Sequence, residues 1–164
     1  MTRVQALFLI AAGAGTCALI GLPRASSAPW LINETPSLPR GLYFRSWAPP
    51  APGKIVAVAP PAAVRLYLAS VGAPPAARLL KRVAAGPGET VCREGRRLTG
   101  PWGAVIALDR DRRGRPLPTW RGCRRLEADE ILVLGDSAAS FDSRYFGPVR
   151  LAAVEGVYRE AWPW

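Results

Sequence analysis

Apolar positions follow two patterns along this chain. Residues 4–22 are almost continuously apolar, broken only by Gln5 and Thr16. As a helix they would span about 28 Å, close to the hydrocarbon thickness of a bilayer. Arg3 stands before the run, and Pro23 and Arg24 end it. The run predicts either a signal-anchor helix or a cleaved signal peptide. Its length favours the anchor, while Ser26 and Ala28 satisfy the small-residue rule for cleavage. Beyond it the apolar residues come in short segments divided by Gly and Pro. Residues 42–45 predict a strand. Residues 54–59 (KIVAVA) alternate, are β-branched, and predict a second strand ended by Pro60 and Pro61. Residues 65–70 predict a short helix bounded by Gly72. Residues 76–84 (AARLLKRVA) suit helix and strand equally. Further strands are expected at 89–93 and 104–108, with the segment 97–99 between turns at Glu94-Gly95 and Gly100-Pro101. Residues 109–125 are Arg-rich, carry Gly114, Pro116, Pro118 and Gly122, and predict a solvated loop or hairpin tip. Residues 131–134 predict a buried strand, and 149–158 at least one more strand or a short helix. The terminal Trp162-Pro163-Trp164 predicts docking onto the domain or onto a membrane interface. Many short strands with Gly/Pro turns predict a mainly β fold, an antiparallel β sandwich or half-open barrel, preceded by one N-terminal transmembrane helix.

Composition narrows the chemistry. The 164 residues suffice for one domain, and 49% of them are hydrophobic, which implies a folded core. The formal charge of +10 attracts anionic partners, lipid headgroups or nucleic acid, unless it reflects only an Arg-rich solvated surface. The absence of histidine is more decisive. It excludes a Ser-His-Asp triad, a Cys-His dyad and every His-ligated metal site. Lys54 and Lys81 are the only lysines, and arginine stays protonated, so a general base must be one of those two or a carboxylate. Of the cysteines, Cys17 sits in the apolar run. Cys92 and Cys123 fall in the body of the domain, and their spacing alone does not say whether they pair.

Three stretches carry candidate chemistry. In ETPSLPRGLYF, Ser37 stands between Pro36 and Pro39, which stiffen the loop and fix the hydroxyl's position. A proline-rich linker after a membrane segment would look similar. Lys81 stands in LLKRV, where apolar neighbours make its charged form costly. Lowering a lysine pKa to near 8 costs about 3 kcal/mol, and the neutral amine can then take a serine proton. A lysine snorkelling from a strand edge is the alternative. Lys54 follows a turn and reads as solvated. In GDSAASFDSRYFG a core strand runs into a turn rich in polar groups, which must bond to one another to be buried there. Asp142 and Arg144 suit a pair that braces the backbone, and Ser140 suits holding the lysine amine.

Together these stretches resemble type I signal peptidases. ETPSLPRGLY looks like their serine box, LLKRVAAGPGETV like their lysine box, and GDSAASFDSRYFG like a third box. The Pro-Ser-Leu-Pro-x-Gly-Leu-Tyr form, residues 114–118 (GRPLP) and the Ser-Phe-Asp-Ser-Arg-Tyr-Phe-Gly-Pro run resemble more narrowly the TraF-type signal peptidases of conjugative transfer, which mature a pilin subunit. The resemblance implies a fold of the signal-peptidase type, with residues 1–25 as signal anchor or signal peptide and 26–164 as a periplasmic serine peptidase domain at the cytoplasmic membrane. It implies Ser37 as nucleophile, Lys81 as general base, Thr35 with the Ser37 amide as oxyanion hole, and Ser140, Asp142 and Arg144 as supporting residues, with no cofactor and no metal. The implied partner is an exported preprotein, a pilin precursor foremost, with the oligomeric state and the choice between hydrolysis and cyclisation open. Departures are Ser137 in place of Asn, Glu89 in place of Asp, and Ala59 and Ala73 where relatives often carry cysteine. The last change leaves any disulfide to Cys92 and Cys123. Two rivals are a housekeeping signal peptidase and a non-enzymatic basic β-domain binding nucleic acid through residues 110–125. No nucleic acid is expected on the peptidase reading.

Overall fold

The computed structural model describes residues 28–164. The expected membrane segment at 1–25 lies outside them, and no helix among the described residues is long and apolar enough to cross a membrane. The strands are β1 (Trp30–Asn33), β2 (Gly41–Ser46), β3 (Ile55–Val58), β4 (Leu79–Ala85), β5 (Thr90–Glu94), β6 (Arg97–Gly100), β7 (Gly103–Ile106), β8 (Gly122–Arg125), β9 (Glu130–Leu134), β10 (Val149–Arg150) and β11 (Val154–Pro163). Two short helices, α1 (Arg65–Ser70) and α2 (Ser143–Phe146), accompany them. All strand pairs are antiparallel and form two sheets, one in the order β1-β2-β11-β3-β4-β9-β10 and one in the order β7-β6-β5-β8.

β3 sits near the middle of the larger sheet, and all four of its residues are buried. Val56 and Val58 join Val83, Ile131, Val133, Val149 and Val157 in one core cluster, while Ile55 and Ala57 join Leu38, Tyr43 and Tyr158 in another. Coverage on both faces explains why KIVAVA carries no polar residue between its ends. A third cluster of Ala85, Val91, Leu98, Leu126, Leu132 and Leu134 joins the smaller sheet to β4 and β9.

The ambiguous residues 76–84 become β4, because β3 on one side and β9 on the other take up its backbone groups. Residues 109–125 are only partly the expected loop. Gly122–Arg125 forms β8, held against β5 with Cys92 directly opposite Cys123 and a disulfide between them. The C-terminal aromatics dock through backbone: β11 runs to Pro163 beside β2, and Trp164 N–H donates to the Arg40 carbonyl. β1 and α2 were not anticipated. β1 sets the geometry of the loop that follows it, because β1 and β2 pair in register from Trp30 with Phe44 to Asn33 with Gly41. The proline-flanked loop carrying Ser37 is therefore a hairpin connection, residues 34–40. Gly41 closes it for a reason other than a turn: a Cβ there would collide with the Trp162 carbonyl oxygen of β11.

Candidate active site

The hairpin loop is held by a residue that sequence reasoning missed. Asn33, buried at the end of β1, directs its amide nitrogen to the carbonyls of Thr35 (3.0 Å), Leu38 (3.0 Å) and Pro39 (2.9 Å). Its Oδ1 accepts from the Thr35 backbone N–H at 3.3 Å and from the Thr35 hydroxyl at 2.8 Å. The available signal was an Asx-type arrangement, an Asn bonding the backbone two residues on. Thr35 Oγ1 in turn lies 2.9 Å from Ser37 Oγ. The Ser37 carbonyl is held from the far side by the Asp136 backbone N–H at 2.7 Å. Two prolines, one asparagine and the end of β9 thus fix the serine, which is 7% exposed.

Lys81 enters from β4. Alternation along that strand buries positions 81, 83 and 85, so Lys81 points to the side where Val83 and its register partner Val56 lie. It is 4% exposed, and among the described residues its amine has no ion pair or hydrogen bond. Burial pushes its pKa down from 10.5 to about 8. The carboxylate of Asp142 opposes that shift and the guanidinium of Arg144 adds to it. Lys54, the other lysine, is exposed, as its position after a turn implied.

Ser37, Lys81, Thr35 and Ser140 line a single cleft of about 700 Å³. Its walls come from β1 and the hairpin loop, from residues 76–80 leading into β4, and from residues 137–141. Ser140 Oγ is buried without a hydrogen-bond partner among the described residues, so the hydroxyl expected to hold the lysine is in the cleft but unengaged.

Asp142 and Arg144 do not line the cleft; they lie buried behind it at 0% and 2% exposure. Arg144 Nε donates to Asp142 Oδ1 at 2.8 Å and its Nη2 to Oδ2 at 2.6 Å. Nη2 also reaches the carbonyls of Gly135 and Ser137, and Nη1 donates to that of Ala138, at 2.8–3.0 Å. Asp142 also accepts from the backbone N–H groups of Gly135 and Arg144. Every charged atom is matched, which is what makes burying the pair tolerable. Ser143, fully buried, accepts from the Val133 N–H and ties α2 to β9. Glu89, the departure after the Pro-Gly turn, keeps a turn-closing role: its Oε2 accepts from the Gly86 N–H at 2.6 Å.

No group of histidine, cysteine, aspartate and glutamate among the described residues is arranged to hold a metal. What the cleft offers is a hydroxyl and an amine that burial drives toward its neutral form.

Comparison with known proteins converges on one family. The family model described as Signal peptidase, peptidase S26 matches residues 4–164. A plasmid transfer protein TraF of Escherichia coli is 36% identical over 179 aligned positions spanning all of both chains. A probable conjugal transfer protein TraF of Sinorhizobium fredii is 32% identical, covering 82% of this chain and 79% of its own. A crystal structure of a signal peptidase I from Enterococcus faecalis is 25% identical, covering 68% of this chain and 98% of its own, with a TM-score of 0.39. The chain belongs to the signal peptidase family, peptidase S26, and within it is a TraF-type peptidase.

Proposed function

We propose that the protein is a membrane-bound serine endopeptidase with a Ser37–Lys81 dyad, and that it matures exported preproteins, a conjugative pilin precursor foremost. The observation that carries the reading is the buried Lys81 amine, its pKa lowered to about 8, lining the same cleft as a braced Ser37 in a chain without histidine. The neutral amine takes the Ser37 hydroxyl proton as Oγ attacks the scissile carbonyl. The oxyanion accepts hydrogen bonds from the Ser37 backbone N–H and from the Thr35 hydroxyl once that turns away from Asn33; one such donor is worth roughly 3 kcal/mol. The Lys81 ammonium protonates the departing amine. Lys81 then deprotonates a water that hydrolyses the acyl-enzyme. Asp142 and Arg144 anchor the loop of residues 135–144, and Ser140 gives the lysine a hydroxyl to bond as its charge changes.

Two features support catalysis at the outer face of the cytoplasmic membrane. The Cys92–Cys123 disulfide fits an oxidising compartment such as the periplasm. Trp30, Ile32, Phe44 and Trp162 are all exposed on β1, β2 and β11, where the register puts Trp30 opposite Phe44 and both Ile32 and Trp162 opposite Leu42, on one face. Such an aromatic face suits a membrane interface. The test is processing of a pilin precursor in membranes by wild type, Ser37→Ala and Lys81→Met. Both variants are expected to be inert, and normal processing by either overturns the dyad.

A further inference from the structure

A second cavity, of about 420 Å³, adjoins the cleft and shares Pro36, Ala139 and Phe141 with it. One wall is aromatic: Tyr67 stacks on Phe141 with centroids 4.8 Å apart, and Phe141 on Tyr145 at 5.4 Å. The facing wall is the Arg-rich turn, which is built rather than loose. Asp111 Oδ1 accepts from the backbone N–H groups of Arg113 and Arg115, and its Oδ2 accepts from Arg115 Nε at 2.7 Å and from the Tyr67 hydroxyl at 3.3 Å. Arg115 Nη1 donates to the Ser70 carbonyl at 2.6 Å, fastening the turn to the end of α1. Arg115 is thereby neutralised by Asp111. Arg112 and Arg113 also line the cavity, are exposed, and have no side-chain ion pair or hydrogen bond among the described residues.

We propose that this cavity receives the substrate segment that follows the scissile bond, and that it selects an acidic side chain there. The inference rests on the Ser37–Lys81 reading. An extended peptide whose scissile carbonyl lies at Ser37 must continue in both directions. One direction is the first cleft, where Ala57, Ala76 and Ala77 form an apolar lining suited to the small residues of the acyl part. The other passes Pro36 and Ala139 into the aromatic-walled cavity. There, two guanidiniums without a carboxylate favour an anionic side chain and oppose a cationic one.

The test uses the full-length chain in detergent with internally quenched peptides. These carry Glu, Gln or Lys at each of the first four positions after the scissile bond. The expected result is a KM about fivefold lower for Glu than for Gln at one of those positions, the effect of one partly desolvated charge pair, and a higher KM for Lys. Arg112→Gln/Arg113→Gln brings the Glu and Gln peptides to the same KM. Equal KM values in wild type, a preference that survives in the double variant, or a preference only for Glu before the bond each overturn the proposal. Anisotropy of the labelled peptides on Ser37→Ala separates the two readings. Selective binding of Glu peptides without cleavage by wild type sinks the dyad and keeps the subsite. Cleavage without Glu preference sinks the subsite and keeps the dyad.

Discussion

Replacing Lys81 with methionine tests the central electrostatic claim without relying on any substrate. Lys81 is 4% exposed and its pKa falls from 10.5 to about 8, with burial as the largest cause. The folded state therefore binds this proton more weakly than the unfolded state does. Between pH 8 and 10.5 the unfolded chain holds more protons, so stability rises with pH across that window. Below pH 8 both states are charged and the whole cost of the buried ammonium is present, about 3 kcal/mol for a fall from 10.5 to about 8. Above 10.5 the amine is neutral in both states and the cost is gone. Methionine has a similar length and no charge. At pH 7 the variant is expected to escape about 3 kcal/mol of destabilisation, and at pH 10 only about 1 kcal/mol. The assay is chemical denaturation of wild type and Lys81→Met at both pH values, read as the change in their stability difference. That change is expected to be about 2 kcal/mol. Differences in packing between the two side chains drop out because they do not depend on pH. Tyr43 and Tyr67, whose pKa values burial raises above the usual 10.0, are present in both proteins, so their titration drops out of the difference as well. A difference that moves by less than about 0.5 kcal/mol between the two pH values would mean that the folded protein solvates the ammonium as water does. The case for Lys81 as a base would then fail.

Three further outcomes are expected. The rate of peptide cleavage should rise about tenfold from pH 7 to pH 9 with a midpoint near 8, following the neutral fraction of Lys81; a flat profile with chemistry rate-limiting contradicts the assignment. Arg144→Met leaves Asp142 buried without its partner and should cost about 3–5 kcal/mol in thermal unfolding. It also removes a positive charge that lowers the Lys81 pKa, so the midpoint of the pH–rate profile should move upward, a displacement that simple loss of stability would not produce. Asn33→Ala strips the amide from the carbonyls of Thr35, Leu38 and Pro39, which should cost about 1–3 kcal/mol and lower kcat more than it raises KM; unchanged kcat would show that the prolines alone hold the serine.

What the sequence disclosed depended on whether the deciding interactions were local. KIVAVA was legible as a strand because burial on both faces left its mark on each residue, and α1 because Gly72 and the prolines fence it. Lys81 was legible as an unusual lysine because its environment is written in its neighbours, Leu79, Leu80 and Val83. The strand that carries it was not, because in nine residues the helical and β periods overlap and the choice falls to β3 and β9, more than twenty residues away in one direction and about fifty in the other. β8 was hidden for the opposite reason. Gly-Cys-Arg-Arg has no buried face, and β5 together with the disulfide holds it. Asn33 was passed over because no strand was expected before residue 42 and nothing local marks it, whereas its importance lies in five groups it bonds across the loop.

The centre of the site lies away from the serine loop, at the end of β9. Gly135, at the end of β9, gives its N–H to Asp142 and its carbonyl to Arg144, and the next residue's N–H holds the Ser37 carbonyl. One residue earlier, Leu134 pairs with Arg82, the neighbour of Lys81 on β4. A Cβ on Gly135 would collide with Ser140 Oγ and come within 2.7 Å of the Ser37 carbonyl oxygen. The serine loop, the lysine strand and the polar turn therefore meet at one point, and they meet closely only because that point has no side chain. Ser37 and Lys81 are far apart in the chain, yet each needs only to be fixed relative to the end of β9. The strand register does this for the lysine and a single backbone hydrogen bond does it for the serine. The buried Asp142–Arg144 pair then has a mechanical purpose: it clamps the turn after Gly135, so that the serine and the lysine share one rigid reference.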